Sequence, residues 1–129
     1  MIRSAALLLT AALCAWHAHA ELFKANFQAP DNKGRPRHYA IEVDLTQGAN
    51  DTISGEIKTI HGSTACMWGG IKVSGGPTTD GNLRWASEEN PLKGCGRVIF
   101  IGKKEGDHWV GSLPRFQGAK IDLVLEPAR

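Results

Sequence analysis

The sequence has few cysteines and lacks the motifs by which many small enzymes and metal proteins are identified. None of its three cysteines lies in a C-x-x-C pair, the spacing typical of zinc sites and thiol oxidoreductases. It has no G-x-S-x-G, no H-E-x-x-H, no glycine-rich phosphate loop and no EF-hand spacing. We therefore expect no metal and no cofactor, and no motif favours an enzyme.

The charge balance gives no sign of a nucleic-acid partner. Lys and Arg together number 15, Asp and Glu number 13, and the formal net charge is +2. The basic groupings are residues 33–37 and the pair Lys103-Lys104. Both are too small to form the stripe of cations that follows a phosphate backbone. Nucleic acid is therefore not an expected partner.

Residues 1–20 are predicted to be a secretory signal peptide. Arg3 supplies a basic n-region, residues 5–16 form an apolar h-region, and residues 18–20 (Ala-His-Ala) match the small-x-small cleavage pattern. A membrane-spanning helix needs about 20 predominantly apolar residues, which is more than this run supplies, and no later segment is apolar enough. We expect export to the periplasm or the cell exterior, with no transmembrane segment in the mature chain.

Cys66 and Cys95 remain after cleavage, and we predict a disulfide between them. An even number of cysteines in an oxidising compartment normally pairs. The bridge would close a loop of about 30 residues, for which chain-entropy estimates give roughly 3–4 kcal/mol. That is a large share of the stability of a small domain. A metal site and a redox pair are the alternatives, and the missing C-x-x-C spacing disfavours both.

Residues 21–129 are predicted to form one all-β domain. The most informative stretch, residues 93–113, reads as a hairpin with a polar turn at residues 103–106. Its first strand is apolar at four successive positions, residues 98–101, so we expect both of its faces to be covered, as in a central strand. Elsewhere apolar and polar residues alternate in short runs between Gly-rich turns. About seven strands result, which favours a small antiparallel β-barrel, with a two-sheet β-sandwich as the alternative.

Three tryptophans remain after cleavage, and their contexts differ. Trp85 and Trp109 lie on the predicted inward faces of strands, so we expect them in the core. Trp68 lies between Cys66 and a Gly-Gly pair, where irregular backbone is expected. It is therefore a candidate contact with a ligand or partner.

Arginines supply the other candidate binding residues. A guanidinium binds a carboxylate or phosphate through two parallel hydrogen bonds, which makes Arg84, Arg97 and Arg115 candidates. Arg115 is followed by Phe116 and Gln117 in a predicted turn. A charge, a ring and an amide on one loop are typical of a contact tip, and a solvated turn is the alternative.

Two histidines give the weakest hypothesis. A Ser-His-Asp set of the kind that hydrolases use could be drawn from His61 or His108, Asp107, and Ser63 or Ser112. Almost any protein of this size offers such a combination, so solvated histidines at strand ends are the preferred interpretation.

These observations favour an exported binding module over an enzyme. We expect it to recognise another protein, as an inhibitor for example, or a cell-envelope ligand, through its loops. The alternative is a barrel that carries a small apolar ligand in its interior, because a barrel of about eight strands has room for one. A small hydrolase is the third hypothesis.

Overall fold

The computed structural model describes residues 20–31, 33–62, 69–90 and 95–128. Over these residues the chain forms eight β-strands and one 3₁₀ turn, Ala49–Asp51. Within the same residues, no helix has the length and apolarity needed to cross a membrane. The strands are β1 (Ala20–Pro30), β2 (Pro36–Gln47), β3 (Ile53–His61), β4 (Ile71–Pro77), β5 (Leu83–Ser87), β6 (Ile99–Glu105), β7 (His108–Phe116) and β8 (Ala119–Pro127).

The strands form a closed antiparallel barrel in which each strand pairs with the next and β8 returns to β1. The predicted all-β barrel is therefore confirmed, and the sandwich alternative is wrong. The additional strand is β1, where Phe23, Ala25 and Phe27 are buried and the residues between them are exposed. This period-two alternation is the signature of a half-buried strand.

The predicted central hairpin exists as β6 and β7, but a closed barrel has no central strand. The turn is Gly106-Asp107 instead of residues 103–106, because β6 continues to Glu105, which pairs with His108. Ile99 and Ile101 are half-buried on the outer face of β6. The expectation that both faces of this strand are covered is therefore wrong for its outer face.

Two groups of aromatic rings occupy the barrel interior. Phe100 stacks on Trp85 with ring centroids 5.4 Å apart and meets Trp109 edge-on at 6.3 Å. Trp85 and Trp109 are 0% and 1% exposed, which confirms their predicted place in the core. A second group, Phe27, Tyr39 and Phe116, packs at the other end of the barrel with centroids 5.0–5.7 Å apart. Such pairs add about 0.5–1.5 kcal/mol each to the energy of burial.

Inward-facing glycines let neighbouring strands approach closely. A Cβ at Gly75 would collide with the carbonyl oxygen of Arg84 and lie 2.7 Å from the Cα of Trp85. Gly102 and Gly111 face each other across β6 and β7. The tip of the Phe100 ring lies 2.9 Å and 2.8 Å from where their Cβ atoms would be. These positions therefore accept no side chain without moving backbone or an aromatic ring.

The barrel closes through a short seam. The ladder between β1 and β8 has two register pairs, Phe23↔Pro127 and Lys24↔Glu126. The N–H of Ala128 also donates to the carbonyl of Leu22 at 2.8 Å. Phe27 of β1 and Leu123 of β8 lie beyond these pairs, towards the end of the barrel that contains Phe116. Each is 7% exposed, which is among the highest values of the core residues. The seam is therefore the least tightly paired contact of the described barrel.

Some of the expectations concern residues that the structure does not describe. Cys95 is partly buried and packs against the hydrophobic core, but Cys66 lies outside the described residues, so the disulfide stays a prediction. Trp68 and residues 1–19 of the predicted signal peptide also lie outside them.

Replacing Gly75 by Ala is expected to destabilise the protein strongly. The new Cβ meets backbone atoms of β5, which cannot rotate away, so one strand must shift. Overpacking of this kind typically costs about 1–3 kcal/mol, and we expect the upper part of that range in urea unfolding. Gly76→Ala is the matched control, because the nearest atom to its Cβ is 4.0 Å away. Equal unfolding midpoints for the two variants would contradict the close approach of β4 and β5.

Candidate functional site

Seven connections join the eight consecutive strands, and the predicted contact tip lies at one end of the barrel. The β7–β8 turn contains Gln117, and Arg115 lies just before it at the end of β7; both share this end with the β1–β2 turn, residues 31–35. Ring packing holds the two turns together. Phe116, next to Arg115, contacts Phe27 of β1 and Tyr39 of β2. Two segments far apart in the sequence therefore form one surface.

The β7–β8 turn is a tight two-residue turn. Gln117 and Gly118 have φ of 50° and 79°, the two positive values that a type I′ turn requires. Glycine adopts this conformation freely, whereas a glutamine in it is strained by about 1–2 kcal/mol. Gln117 is exposed at the tip, and its side chain points away from the core.

Of the three residues predicted for this tip, Arg115 and Gln117 are exposed and Phe116 is not. Phe116 is 8% exposed and packs into the aromatic group beneath the turn. Its ring supports the turn from inside the barrel. Surface contacts at this tip therefore come from the arginine and the amide.

The β1–β2 turn is organised by Asp31. Its Oδ1 accepts hydrogen bonds of 2.9 Å from the backbone N–H groups of Lys33 and Arg35. Its Oδ2 lies 3.6 Å from Nε of Arg35 and 3.9 Å from Nη2 of Arg37. The pKa of Asp31 lies below its ordinary value, and the main cause is the backbone hydrogen bond from Arg35. The N–H of Lys33 and the two guanidinium groups lower this pKa further.

Arg35 and Arg37 both remain exposed to solvent despite these contacts. Their side chains are 68% and 42% exposed, whereas the Asp31 side chain is 12% exposed. Arg37 is also held by a 3.2 Å hydrogen bond from Nη1 to the carbonyl of Gly62. The turn thus presents two arginines whose positions are set by a largely covered carboxylate.

The two turns and the adjoining strand ends form what we call the basic cluster. Among the described residues it has five exposed cations, and the β1–β2 turn contributes one acid, Asp31. The cations are Lys33, Arg35, Arg37, Arg115 and Lys120. Like charges gathered on one rim raise the local positive potential and attract anions. Exposed acids lie in loops at both ends of the barrel. Glu88 and Glu89 follow β5 at the same end as the cluster, and Asp51, Asp80 and Asp107 lie at the opposite end.

The other predicted residues lie elsewhere. Arg84 is exposed on the outer face of β5, where it pairs in register with Ile101 of β6. It is therefore not part of the basic cluster. Arg97 is tied to the fold, because its Nε donates to the carbonyl of Ser87 at 2.7 Å.

The histidines do not assemble into the hydrolase set. His61 ends β3 at the end of the basic cluster and contacts Thr59 at 3.1 Å. His108 begins β7 at the opposite end and contacts Asp107 at 3.2 Å. Ser112 lies within β7, and Ser63 is outside the described residues. Within the described ranges, no group of three or more His, Cys, Asp or Glu side chains has the arrangement of a metal site.

Sequence reasoning missed one feature of the interior. The indole N–H groups of Trp85 and Trp109 are buried and have no hydrogen-bond partner in the described part of the chain. A buried polar group without a partner costs about 1–3 kcal/mol. No sequence signal identifies these unpartnered N–H groups. Period-two alternation predicts which face of a strand an indole lies on, but it does not predict the hydrogen bonding of the indole N–H.

Comparison of the chain with protein-family models, curated proteins and solved structures finds no match. The function is therefore inferred from the geometry of the barrel and its surfaces.

The hydrogen bonds to Asp31 predict a specific loss of stability in acid. Folding lowers the pKa of this carboxyl. Its contribution to the free energy of unfolding is therefore complete above about pH 4, near the pKa of the unfolded chain. It is lost as the pH falls through the pKa of the folded state. In Asp31→Asn the side chain cannot titrate, so the difference between urea midpoints at pH 6 and pH 3 should be smaller than in the wild type.

Lys33→Ala is the control for this measurement. Lys33 contributes to Asp31 through its backbone N–H, which alanine retains, so this variant should keep the acid-dependent loss. An Asp31→Asn profile that coincides with the wild type would show that the carboxylate does not organise the turn.

Proposed function

We propose that this protein is an exported binding protein that recognises an anionic surface of a partner protein through the basic cluster. The observation that carries the proposal is the meeting of the β1–β2 and β7–β8 turns at one end of the barrel. There they present Arg35, Arg37 and Arg115 to solvent over a packed aromatic base. Inhibition of an enzyme is one outcome of such binding.

Three physical features support this proposal. Arginine forms paired, charge-assisted hydrogen bonds with carboxylates, and it is enriched at the centres of protein interfaces. The turns stand on a closed barrel, so little conformational entropy is lost on binding. Asp31 already restricts Arg35 and Arg37, which reduces that loss further.

Export rests on the predicted signal peptide. An extracytoplasmic binding protein of this size gains from the predicted Cys66–Cys95 disulfide, because a small domain has a limited hydrophobic core. Neither feature depends on the basic cluster, so export and recognition are tested separately.

Reversing the charge of Arg115 should weaken binding to the partner by about tenfold or more, the scale of one charge-assisted hydrogen bond. The measurement is capture of proteins from an envelope extract by immobilised wild-type protein and by Arg115→Glu and Arg35→Glu. We expect a protein retained by the wild type to be lost with both variants. Retention should also fall when the ionic strength rises from about 0.1 M to 1 M, because screening then extends to only about 3 Å.

Lys72→Glu is the matched control, because it makes the same charge change on an exposed residue of β4, away from the cluster. Equal losses with Lys72→Glu and Arg115→Glu would assign the effect to net charge and contradict the proposal. Binding of vesicles containing anionic lipid, with no protein retained, would assign the basic cluster to an envelope lipid instead.

A second candidate function, carriage of a small apolar ligand, is supported by the unpartnered N–H groups of Trp85 and Trp109. Two buried donors on the inner wall suit a ligand with a carbonyl or carboxylate oxygen. The aromatic rings that already occupy the interior make this the weaker candidate.

Native mass spectrometry separates the two functions. A carrier purified gently should retain an additional mass of small-molecule size, and Trp109→Phe should reduce its occupancy because it removes one donor but keeps a ring. We expect the bare chain mass for the wild type if the protein acts through the basic cluster alone.

A further inference from the structure

Two histidines lie on the outer wall of the barrel at the end that carries the basic cluster. His38 belongs to β2 and His61 ends β3, and both side chains are exposed. Tyr39, next to His38, is buried in the core, so His38 faces outward, because successive side chains of a strand point to opposite faces. His61 pairs in register with Ala40, which lies two residues from His38. We call His38 and His61 the histidine pair.

The histidine pair borders the basic cluster. Its members are diagonal neighbours on one face, and such neighbours in an antiparallel pair lie about 7–8 Å apart. The hydrogen bond from Nη1 of Arg37 to the carbonyl of Gly62, 3.2 Å long, joins the end of β3 to the cluster. His61 immediately precedes Gly62, and His38 immediately follows Arg37. A partner that covers Arg37 therefore meets both histidines.

The permanent charges around the pair cancel. The charged side chains around it on β1, β2 and β3 are of both signs: Lys24, Arg37, Glu42, Asp44, Glu56 and Lys58. Three are cations and three are acids, and Lys58 is bonded to Glu56 at 3.0 Å. β4 pairs with residues 53–57 of β3, short of His61, and residues 63–68 contain no charged side chain. The histidines thus decide whether this wall adds to the positive potential of the cluster.

Protonation is compatible with the one hydrogen bond that the structure gives His61. A histidine side chain gains its positive charge between about pH 8 and pH 5. Nε2 of His61 lies 3.1 Å from Oγ1 of Thr59. A hydroxyl donates to a neutral imidazole and accepts from a protonated one, so this contact is kept in both states. The charge of His61 can therefore change without loss of local structure.

We propose that the histidine pair makes anion binding by the basic cluster stronger in acid. Each protonation adds one positive charge beside Arg37, which raises the local potential and the attraction for a carboxylate-bearing partner. The inference rests on the proposed function, because it concerns the affinity of the same cluster. The partner is bound more tightly as the pH falls from about 7.5 to about 5.5 and is released as it rises again.

The test measures the binding of fluorescently labelled dextran sulfate to the mature chain at about pH 7.5 and about pH 5.5. Sulfate groups stay ionised at both pH values, so the probe keeps a fixed charge. The ionic strength is held at about 0.1 M. We expect the dissociation constant of the wild type to be about three- to tenfold lower in acid, the effect of two additional exposed ion pairs.

The double variant His38→Gln, His61→Gln should lose most of this difference, because glutamine is neutral at both pH values. The double variant His38→Lys, His61→Lys should bind at the higher pH about as tightly as the wild type binds in acid. His108→Gln is the matched control, because His108 begins β7 at the opposite end of the barrel, and it should keep the wild-type difference. Circular dichroism at both pH values checks that each variant is folded.

Equal affinity of the wild type at the two pH values would overturn the inference and leave the basic cluster as proposed. An unchanged pH difference in the double glutamine variant, or its disappearance in His108→Gln, would overturn it in the same way. A wild type that binds at neither pH, or that Arg115→Glu does not weaken, would contradict the proposed function as well. The two failures are therefore distinguished by whether binding through Arg115 is present.

Discussion

Closure of the sheet on itself is the constraint on which the rest of this structure depends. Eight strands enclose an interior just wide enough for side chains to fill, and here two aromatic groups fill it. Where a large ring spans the interior, the facing strand positions are glycines: Phe100 lies against Gly102 and Gly111. Large and glycine positions are thus matched across neighbouring strands.

Much of this fold could be predicted from local pattern, because each strand of a half-buried sheet alternates apolar and polar residues. The alternation of Tyr39, Ile41 and Val43 with polar neighbours predicts β2 correctly. Residues 21–37 are mixed in composition, so the sequence leaves an edge strand and a segment that covers one end of the core as alternatives, and the structure forms β1 there. Closure itself has no local signal, since Phe23 and Pro127 pair from opposite ends of the described chain.

The candidate site was predictable in its parts and not in its assembly. Arg115 and Gln117 were recognisable as a tip from turn composition, and residues 33–37 as a basic segment. Their meeting depends on the contacts of Phe116 with Phe27 and Tyr39, which only the three-dimensional fold provides. The formal charge of +2 likewise gives no sign that three exposed arginines gather on two neighbouring turns. Such a grouping raises the local positive potential and attracts an anionic partner before contact is made.

The basic cluster is weak as a set of separate ion pairs, because each exposed ion pair contributes about 0–1 kcal/mol. Its strength as a binding surface would come from the way its residues are held. Asp31 already restricts Arg35 and Arg37, and the packing of Phe116 against Phe27 and Tyr39 fixes the base of the neighbouring turn. Side chains that are held before binding lose less conformational entropy when a partner arrives. Several such arginines acting together on a rigid base are the physical means by which this small barrel would bind through charge.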